Sequence, residues 1–280
     1  NGYYELVIEE KHLRKIVAVW ERPLEHSPSL EDFDTGWTGI PAIVVLSYNT
    51  YNSSHRLCTV YYWIGLNVRT GGVLWKRSLA ERPQILKASG NGLLCATSDG
   101  TGEIALWNMN TGKSLGTLSG HRLKVTALSF SDDGRWLVSA GTDGTVRLWD
   151  MRKKREVRTL RGHAGAVRDV ALAPDGQWVY TAGDDQTLRR WRAATGEESG
   201  RLKGEAPFLR LQLDPDGTVL CARDERQSVW VVASWDSPLR VEAFSKVSWR
   251  ESLPGFRAAL AAATREAFHR DFLAAVAGFR

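Results

Sequence analysis

Apolar and polar residues alternate in short runs through the middle of the chain. Val125–Phe130 alternates with period two and reads as a strand with one buried face. Ser131–Gly134 follows as a turn in which glycine supplies positive φ. Trp136–Ala140, Val146–Trp149 and Glu156–Leu160 are three further strands, separated by turns at Thr142–Gly144 and Arg152–Arg155. The pattern then repeats through Val167–Ala173, Trp178–Ala182, Leu188–Trp191 and Glu198–Leu202. Four short antiparallel strands joined by tight turns make one small sheet. Such a sheet cannot bury both faces by itself, and stacking successive sheets side by side does so.

Sliding the sequence against itself by 42 residues superimposes Trp107, Trp149 and Trp191. The same shift superimposes Gly120-His121 on Gly162-His163, and Gly92 on Gly134 and Gly176. Gly217 follows after 41, and Thr70-Gly71, Thr111-Gly112 and Thr195-Gly196 keep a similar spacing. A sustained period of this length marks a repeat architecture. Two runs of residues carry a family resemblance. They are Gly120-His121, Ser139, Asp143 and Trp149-Asp150, then Gly162-His163, Thr181, Asp185 and Trp191-Arg192. Together they resemble the WD-repeat β-propellers. The resemblance is strong over 85–203, continues to 242, and weakens over 40–80, where Leu66 stands in the tryptophan slot. It implies an all-β propeller of four-stranded antiparallel blades, with about five blade equivalents visible here and up to seven in a full ring.

The resemblance also gives the polar residues a role. His121, Ser139 and Asp143 together have the composition of a hydrolase triad. In the family, however, the aspartate accepts from the histidine, the histidine bonds the Ser or Thr, and that hydroxyl meets the tryptophan indole. His121, Ser139, Asp143 and Trp149 then form one structural tetrad, and His163, Thr181, Asp185 and Trp191 form a second. Two copies at equal offsets, one of them with threonine, fit a structural network better than a nucleophile. The flanking units are incomplete. In 85–118, Cys95 takes the place of Ser139, the Asp99–Gly102 turn reads as two residues longer, and the Gly-His pair is missing. In 205–242, Glu205, Ala222, Arg226 and Val232 replace the histidine, the hydroxyl, the aspartate and the tryptophan.

Toward the N-terminus, Tyr3–Glu9 and Lys15–Trp20 read as a hairpin, and 21–39 as a long polar loop. Ile43–Ser47, Leu57–Leu66 and Val73–Leu79 read as strands that form a divergent blade with Lys15–Trp20, or a small separate β domain. This divides the chain into 1–84, a repeat region over 85–244, and a C-terminal extension over 245–280. In the extension, Ser252 and Pro254 suit a helix start. Phe256, Leu260, Phe268, Phe272, Val276 and Phe279 then form an apolar stripe, so an α-helix is expected. It packs on the blades, docks a partner, mediates self-association, or lies on a membrane surface.

The composition, 43% hydrophobic and 25% charged, is that of a folded chain rather than a disordered one. No apolar run approaches the roughly 18 residues of a membrane-spanning helix. The opening Asn1–Tyr4 carries no leader pattern and no initiator Met, so the chain reads as a piece of a longer protein. Three widely spaced cysteines, Cys58, Cys95 and Cys221, match no metal spacing and fit a reducing, cytoplasmic setting. Phosphate-cradling and zinc motifs are absent, the six histidines do not cluster, and neither cofactor nor metal nor catalysis is expected. Charge is uneven. Residues 120–203 hold 16 Lys and Arg against 11 Asp and Glu, the whole of the net +5. Such a segment suits an acidic partner or nucleic acid.

In the resembled family, proteins and peptides bind on the rim made by the loops entering strand one and joining strands two and three. The matching positions are Arg122, Lys124 and Thr142, then Ala164, Ala166 and Asp184. Arg152–Arg155 lies at the opposite end, in the turn between strands three and four. The expected function is therefore a non-catalytic protein-interaction scaffold or sensor module within a larger protein or complex. The alternative is a nucleic-acid-associated subunit that uses the basic surface of 120–203.

Overall fold

The structure is a computed structural model. It describes residues 3–10, 13–21, 29–35, 42–51, 57–67, 73–79, 83–213, 217, 219–232 and 239–241. Among them the chain divides into two compact units. The first runs up to Ser139 and includes Leu148–Val157; the second comprises Ala140–Arg147 and continues from Arg158.

The described residues are all-β. A hairpin pairs β1 (Tyr3–Glu10) with β2 (Leu13–Glu21). Next comes an antiparallel sheet of β3 (Ser29–Thr35), β4 (Ala42–Tyr51), β5 (Leu57–Leu66) and β6 (Val73–Leu79), hydrogen-bonded in chain order. The second antiparallel sheet is β7 (Ile85–Ala88), β8 (Leu94–Ser98), β9 (Glu103–Asn108) and β10 (Ser114–Ser119). The third has the order β11 (Val125–Phe130), β12 (Trp136–Gly141), β13 (Thr145–Asp150) and β14 (Arg155–Arg161). The fourth is β15 (Val167–Leu172), β16 (Trp178–Gly183), β17 (Thr187–Arg192) and β18 (Glu198–Lys203). The last is β19 (Phe208–Leu213), β20 (Leu220–Asp224), β21 (Val229–Val232) and β22 (Leu239–Val241). Each four-stranded sheet is a simple meander, because every connection is too short to do anything but turn back.

Burial follows strand position. β12, β13 and β16 are buried almost throughout, so their sequences run apolar or carry paired polar groups. β18 alternates half-buried and exposed residues, as a fourth strand with one wet face does. Apolar side chains from neighbouring sheets fill the spaces between them. In the first unit, Ile104, Leu106 and Leu118 pack against Val125, Phe130, Leu137, Trp149 and Met151. In the second, Tyr180, Ala182 and Leu188 pack against Phe208, Leu220 and Trp230. Phe208 is fully buried and meets Trp230 edge-on, with ring centroids 5.5 Å apart. Burying a ring of this size contributes about 1.5–3 kcal/mol before the aromatic contact is counted.

One expectation is corrected. The stretch over 21–39 is not a loop throughout, since it contains β3, and β3 rather than Lys15–Trp20 joins β4. Lys15–Trp20 lies in β2 and pairs with β1. The register shift between Leu30 and Asp32 interrupts the period-two pattern, and three acidic residues in seven weaken the strand signal. The helix expected over 245–280 lies outside the described residues.

The same irregularity recurs in other sheets. β3, β15 and β19 each shift register near their start, and in β15 the extra residue is Arg168, between Val167 and Asp169. A bulge of this kind re-aims a side chain at a sheet end. Arg168 accordingly reaches Asp184 at the start of the β16–β17 turn.

Candidate functional site

The most complete polar constellation lies inside the fourth sheet, in the second unit. Gly162 precedes β15 and brings His163 across the end of the sheet. His163 Nδ1 lies 3.0 Å from both carboxylate oxygens of Asp185, and its Nε2 lies 2.7 Å from Thr181 Oγ1. Trp191 Nε1 donates to the same hydroxyl at 3.0 Å. The indole can only donate, so Thr181 accepts from it and gives its own proton to His163 Nε2. That leaves the histidine neutral, with its Nδ1 proton directed at Asp185. Burial lowers the His163 pKa from its ordinary value, more than the neighbouring Asp185 raises it.

Asp185 does more than receive the histidine. Burial would raise its pKa, but hydrogen bonds from the Thr187 side chain, His163 and the Ala164 backbone hold it far below the ordinary carboxylate range. Arg189, only 4% exposed, bridges Asp185 at 3.0 Å and Glu198 at 2.9 Å. Glu198 in turn binds Arg201 at 2.6 Å. The polar chain therefore runs from the loop before the first strand to the fourth strand, with each buried charge met by an opposite one.

In the first unit, His121 Nε2 lies 2.8 Å from Ser139 Oγ, and Trp149 Nε1 donates to that oxygen at 2.8 Å. Asp143, in the second unit, accepts from both the backbone N–H and the hydroxyl of Thr145. Asp185 accepts from Thr187 in the same way. Ser139 is fully buried, and its oxygen is occupied by an indole and an imidazole. No substrate carbonyl can approach it, so the triad-like composition has no nucleophilic geometry.

The flanking sheets solve the same problem differently. In the second sheet, Trp107 Nε1 donates to Thr97 Oγ1 at 3.0 Å. Thr97, not Cys95, therefore stands in the hydroxyl position, ten residues before the tryptophan as in the other two sheets. Cys95 is two residues away, fully buried among Trp63, Leu86, Ala88 and Met109. The equal spacing also removes the longer turn, since Asp99 sits two positions early and still accepts from Thr101 N and Oγ1.

In the last sheet, Arg226 donates to Glu205 at 3.2 Å. Asp224, fully buried, accepts from Ser228 N at 2.8 Å and from Trp230 Nε1 at 3.3 Å. Asp224 and Trp230 replace the missing hydroxyl–tryptophan pair, and the 42-residue spacing gave no signal for them.

The rim residues fall in both units. In the first unit, Arg122 and Lys124 are exposed, and between them Leu123 is 55% exposed. Leu123 was missed by a reading that looked only for charge. In the second unit, Thr142 is half-buried, and Ala164 is exposed with its N–H donating to Asp185 Oδ2 at 3.1 Å. Ala166 receives the Asp184 N–H at 2.9 Å through its carbonyl. Asp184 itself is held by Arg168 through two nitrogens, the Nη2 contact being 2.7 Å. At the other end of the third sheet, Arg152–Arg155 is an exposed turn in the first unit. Among the described residues no three His, Cys, Asp or Glu side chains are grouped to hold a metal ion. No helix among them is long and apolar enough to cross a membrane.

Comparison with known proteins agrees with this geometry. The WD domain, G-beta repeat family matches residues 112–150 and 154–192. A stretch of 50 residues is 48% identical to the CCR4-associated factor 4 homolog of Candida glabrata. That stretch is 18% of this chain and 9% of that protein, so the chain matches only a small part of its relative. The chain carries WD40 repeats, and its repeated four-stranded antiparallel sheets fit a β-propeller.

Proposed function

We propose that this chain is a non-catalytic protein-interaction module acting within a larger protein or complex, and that it binds partners through the rim loops. WD40 repeats support a scaffold role, and one observation carries the reading further. The buried His121–Ser139–Trp149 ladder fixes the loop that displays Arg122, Leu123 and Lys124 to solvent. A rigid loop with an apolar side chain between two cations suits a peptide that places an apolar residue between acidic ones. The relative's name describes a factor associated with another protein, which fits a chain whose task is association. Cys95 and Cys221 are free thiols in buried positions, which suits a reducing, cytoplasmic setting.

An array of peptides with a central leucine flanked by glutamates tests the reading. The wild-type chain binds a subset of them, and Leu123→Asp or the pair Arg122→Glu with Lys124→Glu removes that binding. Equal binding to leucine peptides flanked by serine, or no loss in either variant, would overturn the rim assignment.

A further inference from the structure

The turn end of the first unit carries a second charged surface, distinct from the rim. Two turns meet there. Ser131–Arg135 joins β11 to β12, and Asp150–Lys154 joins β13 to β14. They are tied by the Met151 N–H, which donates to the Arg135 carbonyl at 2.9 Å. Arg135, Arg152, Lys153, Lys154 and Arg155 are all exposed. Lys154, in a left-handed conformation with φ of 49°, points its ammonium at the Leu115 carbonyl in β10, at 2.9 Å. That contact draws the turn against the neighbouring sheet, where exposed Lys113 lies two residues before Leu115.

Two features make these cations a prepared surface rather than a solvated fringe. First, the turn geometry is set by acids that bond the backbone. Asp150 accepts from the Arg152 and Lys153 N–H groups, and Asp133 accepts from the Ser131 hydroxyl and the Arg135 N–H. The carboxylates shape the backbone through its N–H groups, and those hydrogen bonds and the neighbouring cations hold both acids below their ordinary pKa. Second, the Arg135 guanidinium lies over the Trp136 ring, 4.9 Å from its centre. The ring contact restricts the guanidinium and lowers the entropy lost on binding, and a restricted guanidinium suits a two-oxygen acceptor.

We infer that this edge, formed by Lys113, Arg135, Arg152, Lys153 and Arg155, is a docking surface for an acidic segment of a protein partner. A carboxylate-bearing peptide fits it better than a nucleic acid does. The Arg135 guanidinium lies over the Trp136 ring and leaves less of it for a base to stack on. Val157, 43% exposed, stands two residues beyond Arg155 on the same face of β14 and offers an apolar contact to a peptide side chain.

Fluorescence anisotropy with the full chain tests this. The probe is a labelled peptide of glutamate and serine, without the central leucine that the rim reading requires, compared with a labelled random DNA duplex at several salt concentrations. The test variant combines Arg152→Glu, Lys153→Glu and Arg155→Glu, and leaves Lys154 in place because its ammonium holds the turn. The control variant combines Arg122→Glu and Lys124→Glu on the rim. The turn variant weakens the peptide by at least about tenfold beyond any change caused by the rim variant. An unchanged thermal midpoint in the turn variant shows that lost binding is not lost folding, and a lowered midpoint is resolved with Arg152→Gln and Arg155→Gln. Three outcomes overturn the inference: no peptide binding, loss in the rim variant alone, or tighter binding of the duplex with a steep salt dependence that the turn variant removes.

Discussion

Arg226 reaches Glu205 at the two positions that Asp185 and His163 occupy one sheet earlier. Glu205 follows Gly204 as His163 follows Gly162, and Arg226 lies two residues after the end of its strand register, as Asp185 does. The same two loops are thus tied together with the polarity exchanged. Arg226 and Glu205 are 61% and 59% exposed, whereas His163 and Asp185 are 1% and 8% exposed.

Exposure decides what each tie is worth. An ion pair in water contributes about 0–1 kcal/mol, so Glu205→Gln leaves urea unfolding nearly unchanged. Thr181→Val strands a buried indole N–H and a buried imidazole nitrogen, and costs about 2–3 kcal/mol. Thr181→Ser keeps the hydroxyl and recovers most of the loss. If Thr181→Val unfolds at the same urea concentration as wild type, the ladder does not hold the sheet.

Local opening ranks the sheets in the same order. The central strands β12 and β16 carry the hydroxyl of a histidine-linked ladder, β8 has only the Thr97–Trp107 pair, and β20 has Asp224 with Trp230. Amide exchange is accordingly slowest in β12 and β16 and faster in β8 and β20. Equal protection across all four strands contradicts this.

The neutral His163 gives the second unit a pH dependence. Burial keeps the folded pKa below the ordinary 6.5, so the unfolded chain binds the proton more readily. The contribution is fully present above 6.5 and is lost as pH falls below it. Asp185, also depressed, adds a second loss that begins only near its ordinary 3.8. The thermal-midpoint advantage of wild type over His163→Gln therefore narrows between about pH 7.5 and about pH 5.5. A gap that widens on acidification contradicts the neutral assignment.

The sheets over 85–203 were legible because their strands are short and apolar-rich and most of their turns keep a glycine. The two histidine-linked ladders were legible because His, Ser or Thr and Trp recur at one period. What was hidden departs from periodicity. β3 carries a register shift and an acidic sequence. Thr97 lay in plain view, but Cys95 is also small and points to the same side of the strand, and only the indole's direction separates them. Asp224 and Trp230 form a pairing found in one sheet alone, so no repeat comparison exposes it. The exposure of Leu123 and the bulge at Arg168 are properties of the folded chain.

Removing the Asp224 carboxylate separates that pairing from simple packing. Asp224→Ala removes the carboxylate that accepts from the Ser228 and Trp230 N–H groups, and lowers stability by about 2 kcal/mol or more. Trp230→Phe keeps the ring against Phe208 and loses only the indole donor, so it costs less. The double variant then loses less than the two single losses combined, because both substitutions break one shared contact. Additive losses in urea unfolding would place the weight of Trp230 in its packing alone.

A strained turn offers an opposite change of sign. Gln186 has a φ of 65°, and its N–H donates to the Gly183 carbonyl at 3.2 Å. One sheet earlier, Gly144 has a φ of 74° and donates to Gly141 at the same distance. The two turns share a geometry, yet only one uses the residue suited to it. A side chain in the left-handed region costs about 1–2 kcal/mol, and glycine gives back part of that as unfolded-chain entropy. Gln186→Gly therefore raises stability by a fraction of a kcal/mol up to about 1 kcal/mol. Gly144→Gln loses a comparable amount and meets the Gly165 carbonyl as well, since a Cβ there lies 3.1 Å from that oxygen. Opposite shifts in thermal midpoint for the two substitutions establish the turn as the cause. A fall in both places the Gln186 side chain in a contact that outweighs its backbone strain.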